Sequence, residues 1–346
     1  MTAILVTGGA GYIGSHTAKA LAAAGYTPVV YDSLLKGHGR AVQWGPFEAG
    51  DIADTARIDE VLARWKPAAV VHFAAVSEVV HSVRDPLFFY RLNTAGSLNL
   101  LSRALAHEVN AFVLSSTCSV YGQPERLPID ETTPCAPVNT YGRSKLMVET
   151  MLADAAAAYG LDAVALRYFN AAGASFEAEI GEDHHPETHL IPLVLAAAGD
   201  PSRSIAVNGA DYPTPDGSCV RDYVHVNDLA RAHVRAIERL LSGSLKGFSA
   251  INLGTGRGLS VLEILAHAER ITGLPVRREI GPRRPGDPPF LVADPSAASR
   301  ILDWRAEVSD PDTLITTAWR WMQRQRAEAA AAASGVAARD ETVASS

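Results

Sequence analysis

The chain has 346 residues, of which 47% are hydrophobic and 20% are charged. This length suits two globular domains, and the composition excludes an intrinsically disordered protein. With 31 basic and 38 acidic residues the formal net charge is −7, which disfavours general binding to nucleic acids or to anionic membranes.

Short runs of β-branched residues alternate with Ala- and Leu-rich stretches in the first half of the chain. Buried parallel strands give such runs, and the stretches between them have helical character. This alternation predicts a parallel sheet with helices on both faces, a doubly wound α/β fold whose ligands bind at the carboxyl ends of the strands. The predicted strands are 4–6, 29–31, 69–73, 112–114 and 164–166, and the predicted helices are 14–24, 55–65, 96–107 and 141–159.

The character of the sequence changes after residue 172. Residues 173–220 and the segment 281–289 are rich in turn-forming prolines and glycines, which is typical of a smaller substrate-binding domain. We predict a first domain over 1–172, a second over 173–326 and a disordered tail over 327–346, where the chain is rich in Ala and Ser. Strand-like runs at 220–226 and 251–253 leave open whether part of 219–255 returns to the first domain.

A glycine-rich turn joins the first predicted strand to the first helix. In the segment TGGAGYIG, Gly8, Gly11 and Gly14 are evenly spaced. Glycines permit a tight turn and let N–H groups at the helix N-terminus approach a pyrophosphate, although a bare turn is the alternative. Asp32 ends the second strand, where a carboxylate binds ribose hydroxyls and repels a 2′-phosphate. The pattern therefore predicts NAD rather than NADP.

Two later strand ends extend the expected cofactor site. The small residues Ala74 and Ala75 follow Phe73 and leave room for a dinucleotide. Asp51 and Ile52 follow another apolar stretch, where Asp51 binds the adenine edge or, alternatively, caps a helix.

Thr117, Tyr141 and Lys145 are the predicted catalytic residues. Thr117 follows the strand 112–114, and Tyr141 and Lys145 lie four residues apart, on one face of a predicted helix. The lysine charge and an oxidised nicotinamide are expected to lower the pKa of Tyr141, making the phenolate a base for a sugar hydroxyl, with Thr117 sharing the proton. A solvated Tyr–Lys pair on a helix surface is the alternative.

These motifs resemble the extended short-chain dehydrogenase/reductase family and, within it, the UDP-galactose 4-epimerases. The resemblance implies a Rossmann-type sheet, a tightly held NAD and a UDP-hexose in the cleft between the domains. It also implies that Tyr141 deprotonates the sugar 4-hydroxyl as C4 is oxidised, and that the 4-keto sugar turns over before it is reduced on the opposite face. The similar stretches span about residues 3–320 and are 7–16, 72–75, 115–122, 141–149, 167–173, 211–226 and 283–294.

The same resemblance assigns residues to the ligands. Asn170 contacts the diphosphate or the sugar, Leu190 lies near the uridine, and Asp287 binds the uridine ribose. Arg221 and Arg284 neutralise the diphosphate; an internal Arg221–Asp222 ion pair and a solvated Arg284 are the alternatives. The substrate set is Thr117, Tyr141, Asn170, His189, Leu190, Asn208, Arg221, Arg284, Asp287 and Leu291, and the cofactor set is Gly8, Gly11, Tyr12, Ile13, Gly14, Asp32, Asp51, Ile52, Phe73, Ala74, Ala75, Asn93, Ser115, Tyr141, Lys145 and Tyr168.

Three substitutions relative to the family pattern leave the sugar open. His189 replaces a common asparagine, Asn208 stands where an aromatic residue is frequent, and Leu291 occupies the position that tunes pocket width. A UDP-N-acetylhexosamine or UDP-pentose 4-epimerase is therefore the alternative to a UDP-hexose enzyme.

Other enzymes and regulators of this fold fit less well. A nucleotide-sugar 4,6-dehydratase needs an acid and a base beside Thr117, where this chain has Cys118 and Ser119. A reductase more often prefers NADP, and a non-catalytic NAD sensor commonly lacks the Tyr–Lys pair.

The remaining expectations concern metals, partners and location. We predict no metal site, because His184 and His185 are adjacent on an irregular loop without acidic or cysteine partners at ligand spacing.

The segments 96–107 and 146–152 form either the seam of a homodimer or helices buried on their own sheet. Three unclustered cysteines and the lack of a signal-peptide pattern favour the cytoplasm, and no membrane or nucleic-acid partner is expected.

Overall fold

The computed structural model describes residues 1–284 and 287–344, of which 333–344 are described by their backbone alone. The five predicted strands of the first half are all present, with ends that differ by at most three residues. The strands of the described residues are β1 (Ala3–Thr7), β2 (Thr27–Asp32), β3 (Phe47–Ala49), β4 (Ala69–His72), β5 (Ala111–Thr117), β6 (Asp162–Tyr168), β7 (Asn170–Ala172), β8 (Ile205–Asn208), β9 (Val220–His225), β10 (Phe248–Leu253), β11 (Gly258–Ser260), β12 (Arg278–Gly281) and β13 (Phe290–Leu291).

Several helices begin with a side-chain cap or end in a left-handed residue. The longest predicted one starts after Asn139, whose side chain accepts the N–H of Gly142, and stops at Gly160, which has a φ of 73°. A π-helical stretch, Tyr90–Ala95, precedes the fifth helix. The helices of the described part are α1 (Tyr12–Ala23), α2 (Thr55–Trp65), α3 (Val79–Arg84), α4 (Pro86–Phe89), α5 (Gly96–Ala106), α6 (Thr140–Tyr159), α7 (Leu190–Ala198), α8 (Val226–Leu241), α9 (Val261–Thr272), α10 (Ser296–Leu302) and α11 (Pro311–Ala344).

A seven-stranded parallel sheet forms the centre of the described structure, in the order β3-β2-β1-β4-β5-β6-β10. Its two faces are apolar because residues alternate along each strand. Ile4 and Val6 pack toward α1 and α8, whereas Leu5 packs toward α2, α5 and α6. The strand order reverses between β1 and β4, which opens a crevice at their carboxyl ends. This is the doubly wound fold that the sequence predicts.

The rest of the chain builds a smaller α/β region. β9 pairs with β7, β11 and β13, and β8 pairs with β12. α7, α9 and α11 share a core with residues of these strands. The domain boundary near residue 172 stays a prediction. The contacts of the later segments bear on the alternative that part of 219–255 returns to the first domain. After β9 the chain returns to the first region, since α8 packs on α1 and β10 pairs with β6.

The sequence predicts a disordered tail over 327–346. α11 extends from Pro311 to Ala344 and so includes residues 327–344 of this segment. The disorder of the tail stays a prediction. Residues 345 and 346, which belong to the predicted tail, lie outside the described residues. None of the helices in the described ranges combines the length and the apolar character needed to cross a membrane.

Candidate active site

A cleft of about 1630 Å³ lies at the carboxyl ends of the central strands, between the sheet and the smaller region. It brings together almost all of the residues that the sequence predicts for the site. Those lining it are Gly8, Gly11, Tyr12, Ile13, Gly14, Asp32, Asp51, Ile52, Phe73, Ala74, Ala75, Ser115, Thr117, Tyr141, Lys145, Tyr168, Asn170, His189, Leu190, Asn208, Arg221, Arg284, Asp287 and Leu291.

The glycine turn and Asp32 form one end of the cleft. Gly8 has a φ of +72°, and a Cβ atom there would lie 2.4 Å from the backbone nitrogen of Ala74. Asp32 accepts the N–H of Ala10 at 2.9 Å and that of Leu34 at 2.8 Å. Burial raises the pKa of Asp32, and these donors oppose the rise. A turn without side chains beside a fixed carboxylate fits the pyrophosphate and the adenosine ribose of NAD.

Replacing Gly8 with alanine is expected to destabilise the protein by about 2–4 kcal/mol, because the left-handed backbone and the close contact both penalise a Cβ. We expect the wild type to be purified with bound nucleotide and the variant to be purified without it. Urea unfolding and the absorbance of extracted nucleotide measure the two effects.

Gly25→Ala is the matched control, since Gly25 has a φ of +86° but open space around its Cβ position. It should show only the conformational cost of about 1–2 kcal/mol and keep the nucleotide. Equal behaviour of the two variants would show that the close approach at Gly8 has no role.

The first turn of α6 lies against the residues that follow β5. Its N-cap, Asn139, accepts the N–H of Gly142 at 2.8 Å. A Cβ at position 142 would lie 2.5 Å from the carbonyl oxygen of Ser119, so glycine allows the helix to approach this closely. The approach brings Tyr141 next to Thr117.

Lys145 is buried and Tyr141 is half-buried beside the end of β5. Burial raises the pKa of Tyr141 to about 12, and a hydrogen bond with Thr117 opposes this rise. Burial lowers the pKa of Lys145 to about 8, and its Nζ donates to the carbonyl oxygen of Ser115 at 2.8 Å. The expected lowering of the phenol pKa is therefore not produced by the protein groups, because burial dominates. The positive charge of an oxidised nicotinamide is the further contribution that this pair needs.

A buried ion pair fixes α6 on the sheet behind these residues. Glu149 of α6 accepts from Arg167 of β6, with Nη2 to Oε2 at 2.5 Å and Nε to Oε1 at 3.0 Å. Ser116 donates to Glu149 Oε1 at 2.5 Å. Arg167 also donates to the Tyr121 hydroxyl at 2.9 Å, and this hydroxyl donates to Asn252 of β10 at 2.7 Å. The contacts of Glu149 with Arg167 and Ser116 thus set the position of the helix that carries Tyr141.

Arg221 supplies a cation at the other end of the cleft. Its Nη2 donates to Asp287 Oδ1 at 2.5 Å. The alternative Arg221–Asp222 ion pair is not formed, because Asp222 instead accepts N–H groups of the β10–β11 loop, including that of Thr255 at 2.9 Å. Arg221 therefore remains at the cleft wall, with Asp287 as its partner.

Arg284 is exposed at the rim of the same end of the cleft. With the side-chain amide of Asn208 turned so that its oxygen faces Arg284, this oxygen accepts from the Nε and Nη2 atoms of Arg284 at 3.1 Å each. A solvated Arg284 is thus not what the structure shows, since the guanidinium is held by a neighbour that also lines the cleft.

One predicted cofactor residue, Asn93, differs from expectation, and the alternative role of another, Asp51, is excluded. Asn93 does not line the cleft. Its side-chain oxygen accepts the N–H of Val76 and its side-chain nitrogen donates to the carbonyl oxygen of Val76, both at 2.9 Å. Asn93 therefore supports the wall of the cleft, whereas direct contact with the cofactor was expected. Asp51 is not a helix cap, because α2 is capped by Asp54. Asp51 lines the cleft and its side chain accepts the N–H of Ala53.

Sequence reasoning missed an ion pair at the mouth of the cleft. Lys36 Nζ lies 2.6 Å from Glu78 Oε1, and both residues line the cleft. The two residues lie on separate loops, after β2 and after β4. No local pattern in the sequence signals their contact.

Comparisons with known proteins agree with this geometry. A profile of the NAD dependent epimerase/dehydratase family matches residues 4–254. A UDP-glucose 4-epimerase of Rhizobium leguminosarum bv. trifolii is 53% identical over 318 residues, covering 92% of this chain and 96% of the relative. The UDP-glucose 4-epimerase of Brucella ovis in complex with NAD gives a TM-score of 0.90 at 52% identity, covering 92% of this chain and 98% of that one. The UDP-glucose 4-epimerase of Bifidobacterium longum in complex with NAD+ and UDP gives a TM-score of 0.88 at 37% identity, and the match covers 93% of this chain and 98% of that one. The chain therefore belongs to the NAD dependent epimerase/dehydratase family.

Proposed function

We propose that the chain is a NAD-dependent UDP-sugar 4-epimerase that interconverts UDP-galactose and UDP-glucose. The observation that carries this proposal is the meeting of Thr117, Tyr141 and Lys145 in one cleft with the glycine turn and Arg221. The names of the Rhizobium, Brucella and Bifidobacterium relatives support the same activity.

Different residues of the chain carry out proton transfer and substrate binding in this reaction. Tyr141 takes the proton of the sugar 4-hydroxyl, Thr117 shares it, and Lys145 stabilises the phenolate by its charge. NAD, when bound, supplies the reversible uptake of the hydride from C4. Arg221 and Arg284 hold the diphosphate while the 4-keto sugar turns over, so that remote binding energy retains the intermediate. Tyr141 returns the proton after C4 has been reduced on its other face.

Incubation with a panel of UDP-sugars, without added NAD, tests this proposal. The panel contains UDP-galactose, UDP-glucose, their N-acetyl forms and UDP-pentoses, and the products are separated by sugar stereochemistry. We expect UDP-galactose and UDP-glucose to interconvert. Faster conversion of N-acetylhexosamines or pentoses would favour the alternative substrates. Loss of water from the sugar, or an absolute need for NADPH, would contradict an epimerase.

We also propose a cytoplasmic homodimer. α5 and α6 each pack one side on their own sheet but leave Leu98 and Met147 about half exposed, and Val83 and Leu87 of the neighbouring helices are 65% and 69% exposed. A second copy of the chain would cover these apolar residues. The free thiols of Cys118, Cys135 and Cys219 support a reducing compartment. Light scattering should give twice the chain mass, and activity should follow the cytoplasmic fraction of lysed cells.

A further inference from the structure

The loop between β7 and α7 carries a cluster of two histidines and two glutamates. The resemblance places one of them, His189, beside the substrate, but none of the four serves as an acid or a base in the proposed reaction. Glu182, His184, Glu187 and His189 each present one donor atom, and these atoms all lie within 4.8 Å of one another. This corrects the expectation that His184 has no acidic partners at ligand spacing. We propose that the four residues bind one divalent metal ion, for which Zn²⁺ is the best match.

The separations between the donors are those of a metal site. His184 Nδ1 lies 3.1 Å from Glu182 Oε1 and 3.8 Å from Glu187 Oε1. The Nδ1 atom of His189 contacts the same Glu182 oxygen. Zinc bonds of about 2.0–2.2 Å place neighbouring ligands of a tetrahedron about 3.4 Å apart. Small side-chain adjustments therefore suffice to place one ion between the four donors.

The charges of the cluster favour a cation. The Glu182 side chain is only 6% exposed, and burying a carboxylate is costly unless a positive charge is nearby. Within the described residues, the two histidines are the only basic groups that form ion pairs with Glu182 or Glu187. Two neutral imidazoles and two carboxylates carry a charge of about −2, which a divalent ion would balance, and mixed nitrogen and oxygen donors suit Zn²⁺.

The surrounding structure holds the donors in place. The indole N–H of Trp321 donates to the carbonyl oxygen of Glu182 at 2.8 Å. Glu187 Oε1 accepts the N–H groups of Thr188 at 2.6 Å and of His189 at 2.8 Å. Such supporting contacts orient the ligands of metal sites.

A neighbouring group, His38, Asp183 and His185, is a weaker candidate. The guanidinium of Arg40 already contacts Asp183 Oδ2 and supplies the positive charge that a metal would bring. The proposal therefore concerns the first cluster only, with one ion per chain.

The ion would have a structural role that goes beyond the proposed epimerase activity. His189 is the last of the four proposed ligands along the chain. The next residue, Leu190, is the first residue of α7 and lines the cleft. At the other side, the ring of His184 packs edge-on against Tyr12 of the glycine turn, with 6.3 Å between the ring centroids. A bound metal would thus connect the two ends of the cleft through one rigid loop.

Metal uptake by tag-free, full-length protein tests the proposal. The protein is stripped with a chelator, dialysed and titrated with Zn²⁺ or with Co²⁺, whose visible absorption reports tetrahedral coordination. We expect one ion per chain. His184→Ala and Glu187→Gln should each weaken Zn²⁺ binding by at least about 100-fold, since loss of supporting contacts alone costs about 10–100-fold. Far-UV circular dichroism should remain that of the wild type.

Two histidine variants are the matched controls. His81→Ala removes an exposed histidine elsewhere, and His185→Ala removes the neighbour of His184 that belongs to the weaker group; both should bind zinc like the wild type. No uptake by the folded wild type, uptake unaffected by His184→Ala, or uptake lost in His185→Ala would each overturn the proposal. Because metal content is counted directly, this result does not depend on whether the protein epimerises UDP-sugars.

Discussion

Replacing Tyr141 with phenylalanine is expected to lower kcat for the interconversion of UDP-galactose and UDP-glucose by about 10²–10⁴-fold, the usual contribution of a general base. The substitution removes the hydroxyl that bonds with Thr117 and keeps the buried ring. The amount of bound nucleotide and the affinity for UDP should be unchanged, because neither depends on the proton acceptor. Steady-state kinetics, nucleotide extraction and calorimetry measure these quantities.

Tyr121→Phe provides the control for this experiment. Tyr121 is also a buried phenol close to Thr117, but it bonds Asn252 and Arg167 and does not line the cleft. Its loss should reduce stability by about 1–3 kcal/mol and leave the chemical step intact. A Tyr141→Phe enzyme with wild-type kcat would show that another group accepts the proton.

Glu149→Met is expected to lower the free energy of unfolding by about 3–5 kcal/mol, because it leaves the Arg167 charge buried without its partner. Both residues are almost fully buried, with 3% and 6% exposure. The variant also removes the acceptor of Ser116 at the end of β5. Urea denaturation followed by circular dichroism measures the loss, and kcat should fall with it because α6 carries Tyr141.

Two comparisons separate the charge effect from general damage. Combining Glu149→Met with Arg167→Met should recover much of the lost stability, since replacing both members of a buried pair is often close to neutral. Glu328→Ala breaks an exposed i,i+4 pair with Arg324 and should cost no more than about 0.5 kcal/mol. If Glu149→Met cost as little as Glu328→Ala, the ion pair would not be what holds α6 in place.

The first half of the fold is predictable because its signals are local. β1, β2, β4, β5 and β6 are buried on both faces, so each one appears as an apolar run in the sequence. α2 was predicted with the bounds that the structure shows. β3 was missed because it is a short edge strand in which only Glu48 is buried.

The smaller region is less predictable because its strands are short and pair over long sequence separations. β8 pairs with β12, and β9 pairs with both β7 and β13. Their partners depend on the finished tertiary structure, which no local pattern encodes. For the loops around these strands, including the loop that carries the proposed metal ligands, the sequence predicted only irregular structure.

In the candidate site, too, the residues that belong to short sequence motifs were predictable and the contacts that depend on the tertiary structure were not. The glycine turn and the Tyr141–Lys145 spacing are short motifs that require a particular backbone, so the sequence reveals them directly. The partner of Arg221 was not predictable, because Asp287 lies 66 residues further along the chain. Glu182 lies only two residues before His184, but the conformation of an irregular loop decides whether the two side chains meet. The burial that raises the pKa of Tyr141 likewise depends on the surrounding fold.

The pairing of β6 with β10 has a consequence for how the protein is made. On the ribosome, β6 emerges well before its outer neighbour, so the nascent sheet has an open edge until the chain has passed through β9 and α8. Open edges recruit foreign strands and promote aggregation. A fragment cut near residue 172 would keep that edge permanently open, so we expect the dinucleotide half to aggregate when it is produced by itself.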